Sequence, residues 1–184
     1  MKVSDAERLM LLMLCDIYDG TKVRGEFDTD FIRSAIFGEK LWSLPWKYSG
    51  IPFEDQAIPD VVKEVIDILD MWSFIEYSVL KLNEEDRARL DREAAPFGRD
   101  PKFMGFDGNN EAEYMSTASF FVNHLDRFTE FKGRDFNSHM PTVDAYRRML
   151  QPYLAVRHKL AQGPLSVDDL IAILSEQTHP EYGQ

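Results

Sequence analysis

Read as apolar and polar positions, the 184-residue chain is a succession of helix-length stripes, most of them announced by a capping residue. Ser4-Asp5-Ala6-Glu7 places Ser at a cap and Glu three residues on, which opens a first helix to about Tyr18, ahead of Gly20. Asp28 and Thr29 cap a second helix through Phe31, Ile32, Ala35 and Ile36, ending before Pro45. Pro59 suits the first turn of a long third helix, "PDVVKEVIDILDMWSFIEYSVLKL". Asn83 with Asp86 starts a short charged helix, "NEEDRARLDRE". A fifth helix runs from near Asn110 to about Thr129. A sixth covers "TVDAYRRMLQPYLAVRHKL", which Pro152 must kink or divide. In the last, residues 166–177, Ser166 caps with Asp169 three on, and Leu165 and Leu170 stand where a hydrophobic staple closes.

The third helix defines the core. At about 100° per residue, Val61, Val65, Ile68, Leu69, Trp72, Ile75 and Val79 share an arc, with Lys63, Glu64, Asp67 and Asp70 opposite. That arc needs partners, and the first and fifth helices offer the largest apolar faces, the fifth through Tyr114, Ala118, Phe121, Val122, Leu125 and Phe128. Strand alternation and internal repeats are absent. The pattern predicts an all-α single multihelical domain of about seven helices spanning residues 1–184. Two connectors are unusual. Residues 42–58 hold Trp42, Trp46, Tyr48 and Phe53 with little periodicity, and residues 130–141 offer Phe131, Phe136 and Met140 as anchors.

Charge narrows the choice of partners. The 32 acidic residues against 21 Lys and Arg leave a formal charge of −11, which argues against binding nucleic acid or an anionic membrane. The lone Cys15 forms no internal disulfide and fits a reducing compartment. Its apolar run, residues 9–15, is far shorter than a membrane span, and Asp5 and Glu7 before it do not fit a signal peptide. A cytoplasmic location follows as the expectation.

The most pointed phrase is "FMGFDGNNEAEYM", residues 103–115. Counted as a calcium loop from Asp107, it has Ala112 where the sixth position requires glycine and Ala118 where the twelfth requires glutamate. No phosphate-cradling Gly-Lys-Ser/Thr ending is present. Asn110 with Glu113 matches a capping arrangement, Gly105 and Gly108 suit unusual backbone angles, and the phrase reads as a helix entrance tied down by Phe103 and Phe106.

Other chemistry is thin. His124, His139, His158 and His179 show no metal-ligand spacing, so neither metal nor another cofactor is expected. Asp67, Asp70 and Glu64 lie a turn apart on the polar arc, where solvated charge is the usual explanation. Glu76 falls within the apolar arc: a buried carboxylate there would be a candidate acid or base, or it reaches an arginine or solvent. No nucleophile elbow is present. The aromatic set Trp42, Trp46 and Tyr48 reads either as an interaction surface or as core filling.

Several segments in order resemble the YfbU-like family of all-α bacterial and archaeal proteins: "AERL" (6–9), "IDILDMW" (66–72), "FMGFDGNNEAEY" (103–114), "RFTEF" (127–131), "FNSHMPT" (136–142), "YRRML" (146–150) and "LSVDDL" (165–170). Residues 20–58 and 86–101 lie outside the resemblance. The resemblance implies no established activity. Some relatives carry the domain beside a helix-turn-helix, which implies ligand sensing, but no DNA-reading module is recognisable in this chain. The matching polar positions Asp107, Glu111, Arg127, Asn137 and Arg148 either line an anion pocket or act as salt bridges and caps. The expected function is a non-enzymatic module binding a small molecule or a protein partner, possible self-association included. The alternatives are an enzyme using Glu76 or Glu111 as acid or base, and a structural homo-oligomer.

Overall fold

The computed structural model describes residues 3–21, 25–54, 57–158 and 163–178. Among them are eight α-helices and no strand: α1 (Asp5–Gly20), α2 (Thr29–Phe37), α3 (Leu44–Lys47), α4 (Asp60–Val79), α5 (Glu84–Glu93), α6 (Ala112–Asn123), α7 (Val143–Val156) and α8 (Val167–Ser175). The fold is all-α. The helix beyond the expected seven is α3, a single turn that follows a 3-10 turn at Leu41–Ser43 inside the aromatic connector.

The caps form as the sequence dictates. The Ser4 and Ser166 side chains accept from the backbone N–H three residues on, Glu7 and Asp169 reach back, and both capping boxes close. Asp28 accepts from the Phe31 N–H and Asn83 from the Asp86 N–H. The staple residues Leu165 and Leu170 are buried. The helix expected from near Asn110 begins instead at Ala112 with Glu111 at its cap, and no side chain caps it. It ends at Asn123, and Phe128 stands beyond it in the left-handed region at φ +53°. Helix α7 continues through Pro152 undivided. Tyr146, Met149, Leu150 and Tyr153, all buried, fix it on both sides of the proline.

Helix α4 is the axis. Val62, Val65, Ile68, Leu69, Met71, Trp72 and Ile75 are at most 1% exposed, and α6 and α7 pack against it. Val61, assigned by periodicity to the buried arc, is only partly buried at the edge of the core, and Val62 is buried instead. Helix α7 also packs on α8, and α8 on α5. Helix α1 departs from expectation: it leans on α2 rather than on α4.

On the polar arc of α4 Lys63 is exposed, but the three carboxylates are partly covered, because α7 lies over them. Arg147 grips Glu64 at 2.6 Å, with the Tyr114 hydroxyl donating to the same carboxylate. Arg157 bridges Asp67 at 3.0 Å and Asp70 at 2.9 Å, and Tyr153 donates to Asp70 at 2.7 Å. The Arg147 bond, with that of Tyr114, holds the Glu64 carboxyl below its ordinary value near 4.5. A carboxyl depressed in the folded state contributes stability above its unfolded pKa and loses it as pH falls through the folded value. Arg147→Met is expected to cost about 1 kcal/mol at neutral pH, because the arginine is half-exposed, and progressively less in acid. Melting temperatures of both chains across pH check this; an offset that does not shrink in acid contradicts it.

Candidate functional site

The pointed phrase folds against residues 135–143 as a closed polar knot. Phe106 donates to the Phe136 carbonyl at 2.9 Å and accepts from the Ser138 N–H at 3.0 Å, a one-residue bridge between the segments. Gly105 makes it possible at φ +86°, since an added Cβ would lie 2.1 Å from the Phe136 carbonyl oxygen. Gly108 is not in a left-handed conformation; it is small because the Asn137 side-chain amide lies against it. Asn137 accepts from the N–H groups of Gly108 and His139, both at 3.0 Å. Asp107, 3% exposed, accepts from the Asn109 N–H at 2.9 Å and from the Asn110 side chain. The Asn109 amide, helped by Asn110, holds the Asp107 carboxyl below the usual carboxylate range. Asn110 therefore serves Asp107 instead of capping α6.

Glu111 is the centre of the knot. Its carboxylate accepts from the N–H groups of Asp107 (2.9 Å), Thr142 (2.9 Å) and Val143 (2.8 Å), and from the Thr142 hydroxyl at 3.1 Å. Those of Thr142 and Val143 are the first donors of α7, so a carboxylate standing before one helix caps another, where the dipole favours negative charge. Every part of this cluster binds another part.

The remaining residues of the predicted set do not join it. Arg127 is exposed and stacks over the Trp46 ring at 5.1 Å. Arg148 donates to the Glu176 carbonyl at 3.0 Å and the Gln177 carbonyl at 3.3 Å, closing the C-terminal end of α8. Each of the two arginines thus has a structural contact of its own, Arg127 with the Trp46 ring and Arg148 with the end of α8. Trp42 is buried, with its ring 5.3 Å from Phe121 and 5.2 Å from Trp46. Tyr48 accepts from the Asp28 N–H at 3.0 Å. The aromatic connector thus faces inward, because the 3-10 turn and α3 coil it onto α6. Of the three anchors expected in the second connector, Phe131 and Phe136 are buried and Met140 is 62% exposed.

Glu76, the suspected acid or base, forms a two-pronged pair with Arg134, both contacts 2.7 Å, and accepts from the Phe103 N–H at 2.9 Å. Its position inside an apolar arc is explained by that arginine. Among the described residues no group of His, Cys, Asp or Glu is placed to hold a metal ion; His179 lies outside them.

A different surface stands out. Leu9, Met10, Met13, Leu14 and Ile17 of α1 are 54–61% exposed. At about 100° per residue they fall within an arc of about 140°, while Leu11, Leu12 and Cys15 turn toward α2. An amphipathic helix of a single chain normally buries such a stripe; here the buried face is the narrower one. Between α1 and α2 a concavity of about 320 Å³ continues the stripe, with Leu14 and Cys15 on one wall and Phe27 and Ile32 on the other. Cys15 is buried at its floor, and burial pushes its thiol pKa up, away from reactivity. The rim charges Asp16 and Asp19 are held by Arg33, both at 2.8 Å. Periodicity shows this stripe as apolar but carries no signal that the described residues leave it uncovered.

No helix among the described residues is long and apolar enough to cross a membrane. A family model described as the YfbU domain matches residues 1–175. The UPF0304 protein MJECS11 of Methanocaldococcus jannaschii is 30% identical over 92 residues, covering 47% of this chain and 51% of that protein. The chain spans about half the length of this curated relative.

Proposed function

The chain belongs to the YfbU domain family, and from its own exposed surface we propose that it works as an interaction module, pairing through the apolar face of α1 with the same face of a second copy. The carrying observation is the row of Leu9, Met10, Met13, Leu14 and Ile17, each more than half exposed on one side of one helix. The area is sufficient for a pair. The five side chains present roughly 550 Å² per chain, and with Phe27 at the groove mouth a two-fold pair removes about 1,300 Å² from water, at the lower edge of specific interfaces. The face suits itself. Met13 is midway between Leu9 and Ile17, so an antiparallel two-fold through Met13 sets Leu9 of each copy against Ile17 of the other. The stripe carries no charge to select a partner of opposite sign.

With an interface at the small end and no charge pairing across it, the pair is expected to be weak, with an affinity on the order of micromolar. Met13→Asp places two carboxylates at the two-fold axis and is expected to leave only single chains by light scattering. Its melting temperature stays close to wild type, because Met13 is 55% exposed. Each copy carries a formal −11, so added salt screens their repulsion and tightens the pair. A Met13→Asp chain that associates like wild type, or association that weakens with salt, would refute the pairing. The same reading places the module in the cytoplasm, where a reduced buried Cys15 and an acidic surface are both ordinary.

A further inference from the structure

A second feature lies where the connector after α2 meets the start of α4 and the first turn of α6. The α2 end is unusual. Gly38 follows the last helical residue, yet the left-handed position that closes the helix falls one residue later, on Glu39 at φ +56°. Glu39 donates to the Ile36 carbonyl and Lys40 to the Ala35 carbonyl at 2.7 Å, the bond pair that normally goes with glycine at the left-handed position. Glutamate is strained there, and strain of this kind is concentrated at places where a side chain is needed. The turn drives the next residue inward: Lys40 is only 8% exposed.

The Lys40 ammonium donates to the Thr117 hydroxyl at 2.9 Å. No carboxylate among the described residues comes within salt-bridge distance of it. A buried ammonium without a carboxylate partner is expensive to keep, since burial is rarely compensated by one neutral hydroxyl. Burial accordingly lowers the lysine's pKa, with Glu113 and Glu39 acting the other way.

Lys40 lines a cavity of about 410 Å³. Its deep part is Lys40, Trp42 and Val62, all buried, and its exposed mouth includes Pro59, Glu39 and Glu113. Arg8 engages Glu39 at 3.5 Å, whereas Glu113 forms no salt bridge among the described residues. The arrangement is therefore polarised: cationic and partly apolar at the floor, anionic at the mouth. A plain anion entering it meets two carboxylates first, and a plain cation reaches the ammonium at the end. A ligand bearing both charges on adjacent atoms satisfies each.

We propose that this cavity binds a free α-amino acid, its carboxylate on the two unused donors of Lys40, its ammonium toward Glu113, and its side chain against Trp42 and Val62. The volume is in the range of small-molecule sites, and the mainly polar lining, with Trp42 and Val62 as its apolar part, suits a small charged ligand.

Calorimetric titration with glycine, L-valine, L-leucine and L-phenylalanine tests it. The expected result is saturable binding of at least one at a single site per chain. For L-valine, removing the amine gives isovalerate and removing the carboxylate gives isobutylamine; each is expected to bind about tenfold or more weakly than the amino acid. Lys40→Met keeps the buried volume, removes the charge, and is expected to abolish binding. Should that chain not fold, Glu113→Gln at the exposed mouth gives a loss of about tenfold. The proposal is overturned if none of the four amino acids binds, if isovalerate or isobutylamine binds as well as valine, or if both substituted chains bind like wild type.

Discussion

Replacing Glu111 by alanine is expected to remove about 3 kcal/mol of folding stability, read as a shift in the denaturant midpoint. The carboxylate gathers four donors, and three of them, the N–H groups of Asp107, Thr142 and Val143, belong to backbone that has no substitute partner once it is gone. Thr142 is buried, so its N–H has little access to water. Charged acceptors bonded this way are worth more than neutral ones, and the loss includes the dipole interaction at the start of α7. Glu111→Gln separates the contributions. The amide offers one oxygen and turns an NH₂ group toward other donors, so it is expected to recover less than half of the loss. If Glu111→Ala unfolds within about 0.5 kcal/mol of wild type, the knot is not what joins the starts of α6 and α7.

Gly105→Ala is the second large effect, at about 3 kcal/mol or more. Two penalties act together. Alanine is disfavoured at φ +86°, and its methyl would lie 2.1 Å from the Phe136 carbonyl oxygen and 2.4 Å from its carbon. Backbone must move, and the first casualty is the bridge in which Phe106 bonds to Phe136 and Ser138. Hydrogen exchange localises the effect: the Phe106 and Ser138 N–H groups are expected to lose protection beyond the global change. Full retention of protection at both would contradict the close-approach account.

These two residues also show what periodicity can and cannot reveal. Ser4, Asn83 and Ser166 are legible because the donor a cap serves lies three residues away in the chain. Glu111 serves donors at Thr142 and Val143, and no local pattern marks it, so Asn110 looked the better cap. The polar arc of α4 fails to register as an interface for the same reason. Arg147 and Arg157, which cover Glu64, Asp67 and Asp70, come from α7 and its C-terminal cap, far along the chain. Charge opposite an apolar arc looks like solvent exposure until the covering helix is known.

The aromatic connector had the reverse difficulty. Trp42, Trp46 and Tyr48 lack periodicity because a 3-10 turn and one α-helical turn place them, yet they pack inward against α2 and α6. Helix α1 had full periodicity and still misled. Its stripe is apolar whether the covering surface comes from the same chain or from another, and only the fold shows that α2 takes the narrower side. Lys40 left no sequence signal beyond a glycine standing one position ahead of the left-handed residue.

The most direct measurement of the central claim, that α1 presents a face meant for a second copy, is sedimentation equilibrium of the unmodified chain through the micromolar range. The account predicts a mass rising with concentration from 21.4 kDa toward twice that value, at lower concentration as salt is added. A mass that stays at that of one chain throughout would contradict it.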